Sequence, residues 1–380
     1  MTIGIDVRIL GGSEEGGIAQ YVINLLPKLF QVDRSIKFKL FFNSFRSKKI
    51  SYDWLSEKNV ELFKFNIPNH LLFASAKLFN RPFIDKILGG VDVFFSPHFF
   101  LAPLSKNCKS VVTFHDLSFV RYPEFFSRRK NFWHNFEMNP KKQAREADKI
   151  IAMSCSTRND LVSTFGINPD KIKVIYSGVS DKFFNKPEKN QVEAIKNKHK
   201  LPEKFFLFLG TIEPRKNVLG VLKAFEFIKS KKLISDDINL VIAGSLGWLY
   251  QDVLDFYTRS AYKNFIKFIG FVAEEDKVTL YSLARVFVYP SFFEGFGLPL
   301  LESMAAGVPT VTSRISSLPE VSGNSALLVD PYNIKSIAEA MSALFLNPNL
   351  HSHFSQSGRE RARQFSWKKT AEDTLKTLVG

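Results

Sequence analysis

The chain of 380 residues has only two cysteines, Cys108 and Cys155. That excludes a disulfide framework and argues against structural zinc. No run is apolar enough for a membrane-spanning helix, because the phenylalanine-rich stretches are too short or too charged. There is no low-complexity segment, no Asp-x-Asp pair, no GxGxxG fingerprint and no Walker lysine. The start, Met1-Thr2-Ile3-Gly4-Ile5-Asp6, lacks the basic block and apolar core of a secretory signal. A reducing, cytoplasmic setting is therefore expected. With 45% hydrophobic and 23% charged residues, disordered, collagenous and coiled-coil chains are excluded as well.

Positive charge, by contrast, is plentiful. Lys and Arg number 52 against 37 Asp and Glu, a net charge of +15. Residues 1–200 hold 32 basic and 19 acidic side chains, an excess of 13, which leaves an excess of 2 for residues 201–380. An anionic partner is implied: nucleic acid, an anionic membrane surface or a phosphorylated substrate. The asymmetry suggests two halves with different tasks.

Short apolar runs alternate with helix-like stretches from end to end. The strand candidates of the first half are 2–8, 38–43, 59–65, 91–96, 109–114, 149–153 and 171–176. Those of the second are 205–210, 238–243, 265–269, 285–290, 308–312 and 325–329. Runs such as Val111-Val112-Thr113-Phe114 and Leu240-Val241-Ile242-Ala243 are continuous, as a parallel strand covered on both faces requires. Amphipathic segments at 18–30, 141–147, 217–230 and 332–346 lie between them. The alternation predicts a doubly wound α/β architecture. The polar, proline-bearing stretch 181–204 reads as a linker between domains 1–180 and 205–365. In open α/β sheets ligands bind beyond the carboxyl ends of strands, so the loops there are where chemistry belongs.

Four such loops stand out. Gly11–Gly17 has four glycines before a helix, which suits either a flexible turn or close approach to phosphate. His115-Asp116 follows the strand 109–114, placing an imidazole at its carboxyl end. Gly210-Thr211-Ile212-Glu213-Pro214-Arg215-Lys216-Asn217 sets two adjacent cations at a helix start, a receptor for a diphosphate. Pro290–Glu302 contains Glu294-Gly295-Phe296-Gly297-Leu298-Pro299, with Glu294 and Glu302 eight apart. The glycines open backbone amides to a sugar or phosphate, and Pro299 suits a first helical turn. The acidic pair could hold hydroxyl-rich groups at two ends of one ligand. Glu274-Glu275-Asp276 reads as a solvated helix start, and His351-x-His353 as a surface or capping pair.

At these residues the sequence resembles the retaining, nucleotide-sugar-dependent glycosyltransferases of family 4, and loosely their mannosyltransferase-like subgroup. The similarity runs from the glycine loop through Thr113–Asp116 and Ile175–Val179. It continues through Gly210–Asn217, Ala243-Gly244, Gly270–Val272, Glu294–Glu302, Gly307–Pro309 and Leu318–Gly323 to Asp330-Pro331. The resemblance implies the GT-B fold: two facing Rossmann-like, doubly wound parallel-sheet domains. Its C-terminal helix, residues 366–380, would cross back to the first domain.

The resemblance also implies roles. Arg215 and Lys216 would bind the donor diphosphate and stabilise the leaving nucleotide. Glu294 would contact the donor sugar and Glu302 the ribose. Backbone amides at Phe296, Gly297 and Leu298 would touch sugar and phosphate. Gly16 and Gly17 would approach the diphosphate, Gly210 and Asn217 would help hold the donor, and Phe271 and Val272 would line the base pocket. His115 would sit beside donor sugar and acceptor. The donor is a substrate, no other cofactor is implied, and no metal is needed.

The acceptor is expected on the first domain as a saccharide or lipid-linked saccharide. Basic residues interleaved with aromatics at 68–83 and 121–133 suit either a solvated face with core aromatics or the surface of an anionic membrane. Nucleic acid is not expected, since no recognised module or groove-sized basic helix is present. Three functions follow: a transferase building surface polysaccharide or lipopolysaccharide, a soluble synthase of the sucrose, glycogen or trehalose type, and a non-catalytic nucleotide-sugar-binding protein.

Overall fold

A computed structural model describes residues 1–12, 16–45, 50–133, 138–234 and 237–380. Ser13, Glu14 and Glu15 of the glycine loop lie outside the described residues. The chain divides into two compact units. Unit 1 comprises Met1–Leu117, Arg129–Gly178 and Ser366–Gly380, and unit 2 comprises Ser118–Arg128 and Val179–Phe365. The chain therefore passes between units four times.

Unit 1 is built on seven parallel strands: β1 Thr2–Asp6, β2 Lys37–Asn43, β3 Val60–Phe65, β4 Val93–Ser96, β5 Lys109–Phe114, β6 Lys149–Ala152 and β7 Ile172–Val174. Their order is β3-β2-β1-β4-β5-β6-β7. β4 and the last four residues of β5 are buried throughout, as sheets covered on both faces require. The helix Gly17–Val32 buries Ala19, Tyr21, Val22, Leu25, Leu26, Leu29 and Phe30, one stripe of a 3.6-residue period.

The C-terminal helix Trp367–Val379 belongs to the same unit. The Ser366 side chain caps it by accepting from the Lys369 N–H. Its apolar face includes Trp367, whose ring lies 5.9 Å from that of Tyr21. Burying an aromatic side chain of this size contributes roughly 2–3 kcal/mol. Gly178 permits the approach: a Cβ there would fall 2.1 Å from the Trp367 nitrogen.

Unit 2 holds six parallel strands: β8 Phe205–Leu209, β9 Asn239–Ala243, β10 Ile266–Gly270, β11 Val286–Tyr289, β12 Thr310–Ser313 and β13 Leu327–Val329. Their order is β10-β9-β8-β11-β12-β13, the arrangement of a dinucleotide-binding sheet. The direction of winding reverses between β8 and β11. The loops after those two strands thus flank the place where such sheets bind ligands.

Residues 181–204 are more than a linker. They contain the helix Lys189–His199, which buries Ile195. Its Lys and Asn content looks loop-like because one short apolar edge is all that it buries. The acidic run at 274–276 does start a helix, Lys277–Leu283, but only Glu275 of the three is exposed. Asp276 is buried and pairs with Lys198 at 2.6 Å, and Glu274 bridges Lys182 and Lys277.

Candidate active site

The loop after β8 turns through a 3-10 segment, Pro214–Lys216, and ends at Asn217 in a left-handed conformation with φ of +56°. Asn217 Oδ1 caps the helix Val218–Ser230 through the Gly220 N–H. Its Nδ2 donates to Pro290 O at 3.0 Å and Pro331 O at 2.8 Å. The side chain expected among the donor-binding groups is thus a buried clamp between three loops. It fixes the β8 loop against the β11 loop.

That clamp brings three expected residues together. Lys216 Nζ donates to Glu294 Oε1 at 2.6 Å and to the Tyr289 hydroxyl at 2.6 Å. Arg215 Nη1 donates to Glu294 Oε2 at 3.0 Å and to Phe293 O at 2.9 Å. Arg215 also pairs with Glu213 at 2.7 Å. Glu294 is 5% exposed. Burial alone would raise its pKa, but Lys216 and Arg215 outweigh burial and hold it at about 2. Lys216 is displaced downward, first by burial and then by Arg215 beside it. Tyr289 and Glu213 escaped the sequence reading. Tyr289 ends a strand in a run indistinguishable from core, and Glu213 precedes Pro214 in a loop whose two cations dominate.

The Glu294 loop is fixed by hydroxyls. Ser316 Oγ accepts from the Glu294 N–H at 2.9 Å, and Ser317 Oγ donates to the carbonyls of Glu294 and Phe296 at 2.9 and 3.1 Å. Gly297, at φ of +98°, leads into the helix Leu298–Ala305. A Cβ there would also lie 2.8 Å from Leu318 Cδ2, so only glycine fits. The loop that carries Glu294 thus leads directly into the N-terminus of this helix, whose free N–H groups suit phosphate and sugar oxygens.

Glu302 lies one turn further along that helix. Tyr281 donates its hydroxyl to Glu302 Oε2 at 2.9 Å. Burial raises its pKa, and the charge of Lys277 opposes that rise. Glu302 thus belongs to a second polar cluster, with Lys277, Glu274 and Lys182. Val272, buried, and Phe271, 51% exposed, follow the edge strand β10, two strands away from β8. The structure does not bring Phe271 into the Glu294 cluster. A Cβ at Gly210 would meet nothing nearer than 3.5 Å.

In unit 1, His115 closes β5. Its Nε2 lies 2.7 Å from Pro97 O; a carbonyl only accepts, so Nε2 carries the proton and Nδ1 is the acceptor. Burial lowers its pKa, which keeps the ring neutral near pH 7. Tyr21 packs edge-on at 5.0 Å. Gly16 opens the helix Gly17–Val32, and a Cβ at Gly16 or Gly17 would meet no atom of the described residues within 4 Å, chain neighbours aside. The space is open to a ligand.

The match to known proteins follows the same landmarks. Residues 190–361 fit the family described as Glycosyl transferases group 1, and residues 15–183 fit Glycosyltransferase Family 4. The chain is a family 4 glycosyltransferase. This glycosyltransferase is 29% identical to O-antigen chain mannosyltransferase B of Escherichia coli, over 74% of its own length and 73% of that protein's. It is 30% identical to the serotype-specific mannosyltransferase WbdA of Escherichia coli over 69% of its length, which spans only 32% of WbdA. Sucrose-phosphate synthase from Thermosynechococcus elongatus superposes with a TM-score of 0.79 at 20% identity, covering 99% of this chain and 98% of that one. At that identity the likeness establishes the GT-B fold.

No group of His, Cys, Asp and Glu suited to a metal ion occurs among the described residues. None of their helices is long and apolar enough to cross a membrane. Of the two readings of the 121–133 stretch, three of its rings fit the one with core aromatics, since they pack on rings of unit 2: Phe125 stacks on Phe292 and Phe126 on Trp248, and Tyr122 lies tilted against Phe293.

Proposed function

We propose that this glycosyltransferase moves a hexose, mannose first among candidates, from a nucleoside-diphosphate sugar to a saccharide or lipid-linked saccharide. The product is a surface polysaccharide or lipopolysaccharide. The Arg215–Glu294–Lys216 cluster beside the sheet's switch point carries the reading. The names of the O-antigen and WbdA relatives support mannose.

In the resting site Glu294 occupies the face of both cations that a diphosphate would take. A bound donor displaces the carboxylate from part of that face and frees it for sugar hydroxyls. The bond from the sugar's anomeric carbon to the phosphate oxygen breaks, and its electron pair leaves on the phosphate. Arg215 and Lys216 stabilise that charge where a divalent ion otherwise would, so the reaction proceeds without added metal. The acceptor hydroxyl attacks from the same face, retaining configuration, and its proton passes to a phosphate oxygen. Glu302 holds the ribose. The neutral His115 accepts a hydrogen bond from a hydroxyl on Nδ1.

A thermal-shift and calorimetric screen against GDP-, UDP-, ADP- and dTDP-sugars tests the reading. GDP-mannose is expected to bind and, with acceptor, to give a product of unchanged anomeric configuration at a rate that EDTA leaves intact. No binding by any donor, or full transfer by Lys216→Ala, overturns it.

The acceptor side carries a membrane proposal. The helix Asn69–Phe79 exposes Leu71, Leu78 and Phe79, the last two above 70%, with Lys77 and Arg81 nearby. Apolar side chains flanked by cations suit an anionic headgroup layer. Co-sedimentation with phosphatidylglycerol vesicles should be lost when Leu71, Leu78 and Phe79 become serine. Wild-type protein that stays in the supernatant refutes the membrane reading. It then favours a soluble acceptor.

A further inference from the structure

Residues 118–128 are flanked on both sides by unit 1 sequence yet belong to unit 2. The segment holds two short helical turns, Ser118–Arg121 and Pro123–Phe125, and its docking rings are Phe125 and the two residues that flank the second turn, Tyr122 and Phe126. The Tyr122 and Phe125 rings stack on each other at 5.3 Å. Tyr122 lies 5.5 Å from Phe293, and Phe125 lies 5.4 Å from Phe292, which in turn packs on Tyr332 at 4.7 Å. Phe126 stacks on Trp248 at 5.7 Å. A directional contact adds to the stacking: the Trp248 indole N–H donates to Phe125 O at 2.6 Å.

The residues beneath these rings hold the cation cluster. The Phe292 N–H donates to Arg215 O at 2.9 Å. Phe293 O accepts from the Arg215 guanidinium at 2.9 Å, and the next residue is Glu294. Phe292 and Phe293 therefore have rings on the 118–128 segment and backbone on Arg215. A shift of this loop by about an ångström would misalign both charged groups, a displacement able to cost on the order of 100-fold in rate. Hydrophobic packing alone needs no hydrogen bond at the edge of the stack, nor contact with the two residues that precede Glu294.

We infer that residues 118–128 form a strap that positions Arg215 and Glu294 for transfer, with Trp248 and Phe125 as its positioning residues. This rests on the donor-site reading above.

The test compares Trp248→Phe, which keeps a stacking ring and loses the N–H donor, with Trp248→Ala and Phe125→Ala in the full chain. Calorimetry with GDP-mannose and UDP-glucose gives affinity and stoichiometry, and steady-state kinetics gives kcat and both KM values. The indole ¹⁵N–H signal of Trp248, assigned by its loss in Trp248→Phe, is followed during titration with the same two nucleotide sugars.

The strap predicts that kcat falls at least 10-fold in Trp248→Ala and less in Trp248→Phe. Stoichiometry should stay near one and acceptor KM unchanged, and the wild-type Trp248 signal should shift when donor binds. Loss of folded protein would instead lower the stoichiometry. If Trp248→Ala does not fold, Trp248→Phe and the wild-type titration still decide. Unchanged kcat in every folded variant, or donor binding with an unmoved Trp248 signal, overturns the strap while the donor site stands. If neither nucleotide sugar binds wild type, both readings fall together.

Discussion

Replacing Glu294 with glutamine keeps the side chain's shape and removes the carboxylate charge that bridges Arg215 and Lys216. The carboxyl's pKa is held at about 2 against an ordinary 4.5, with burial opposing and the two cations prevailing. At about 1.4 kcal/mol per pKa unit, the shift corresponds to about 3 kcal/mol of stability near pH 7. That agrees with the roughly 3–5 kcal/mol seen when one member of a buried ion pair is removed. For a unit of this size, unfolding should come at a temperature lower by roughly 6–12 °C. The sign follows from the direction of the shift. A depressed carboxyl stabilises above its unfolded pKa of about 4.5, so the gap to wild type should narrow as pH falls from there toward 2.

Arg215 keeps Glu213 and Lys216 keeps the Tyr289 hydroxyl, but with the bridging charge gone the two cations should bind a nucleoside diphosphate more tightly. No carboxylate has to be displaced, and a gain of about 1.4 kcal/mol would appear as a 10-fold lower Kd. Transfer should fall on the order of 100-fold or more, because the sugar loses its carboxylate contact. Differential scanning fluorimetry with and without GDP, paired with calorimetry, measures both effects. An unfolding temperature within 2 °C of wild type at pH 7, or weaker GDP binding than wild type, refutes the account of Glu294 as a built-in stand-in for the diphosphate.

Three other outcomes follow from single residues. Asn217→Ala removes two buried hydrogen bonds and a helix cap, so urea unfolding should show a loss of roughly 2–4 kcal/mol. Gly297→Ala, at φ of +98° and with Leu318 in the way, should cost about 1–3 kcal/mol and lower the thermal midpoint. His115 is kept neutral by burial, so its contribution to stability is present above its unfolded pKa of about 6.5 and is lost as pH falls below it. Urea midpoints should decline from pH 7.5 to pH 5.5, and His115→Gln should flatten that slope.

Much of this was legible in residue order. Runs such as Phe205–Leu209 and Val286–Tyr289 are buried on both faces, so continuous hydrophobicity marks them as strands at nearly their true bounds. Arg215, Lys216 and Glu294 are legible because charged residues immediately after such strands stand at a sheet's binding edge. Asn217 was named as a donor-binding residue, but its clamp was not legible, because the left-handed turn and two carbonyl partners arise only once three loops meet. The helix Lys189–His199 was hidden by a composition that buries one isoleucine. The aromatic run at 122–126 looked like a surface motif because its partners, Phe292 and Trp248, lie more than a hundred residues away.

The four passages of the chain between its units also set an order of events during synthesis. Unit 1 cannot receive Trp367 against Tyr21 until nearly the last residue has been made. Unit 2 receives residues 118–128 early, but the ring of Phe292 that covers Phe125 arrives 167 residues later. At roughly 5–20 residues per second, each wait lasts on the order of ten seconds or longer. Throughout it the aromatic face of Tyr122 and Phe125 stands without its cover, so the growing chain should be a client of ribosome-associated chaperones. Neither unit can be made as a simple fragment by cutting the gene once.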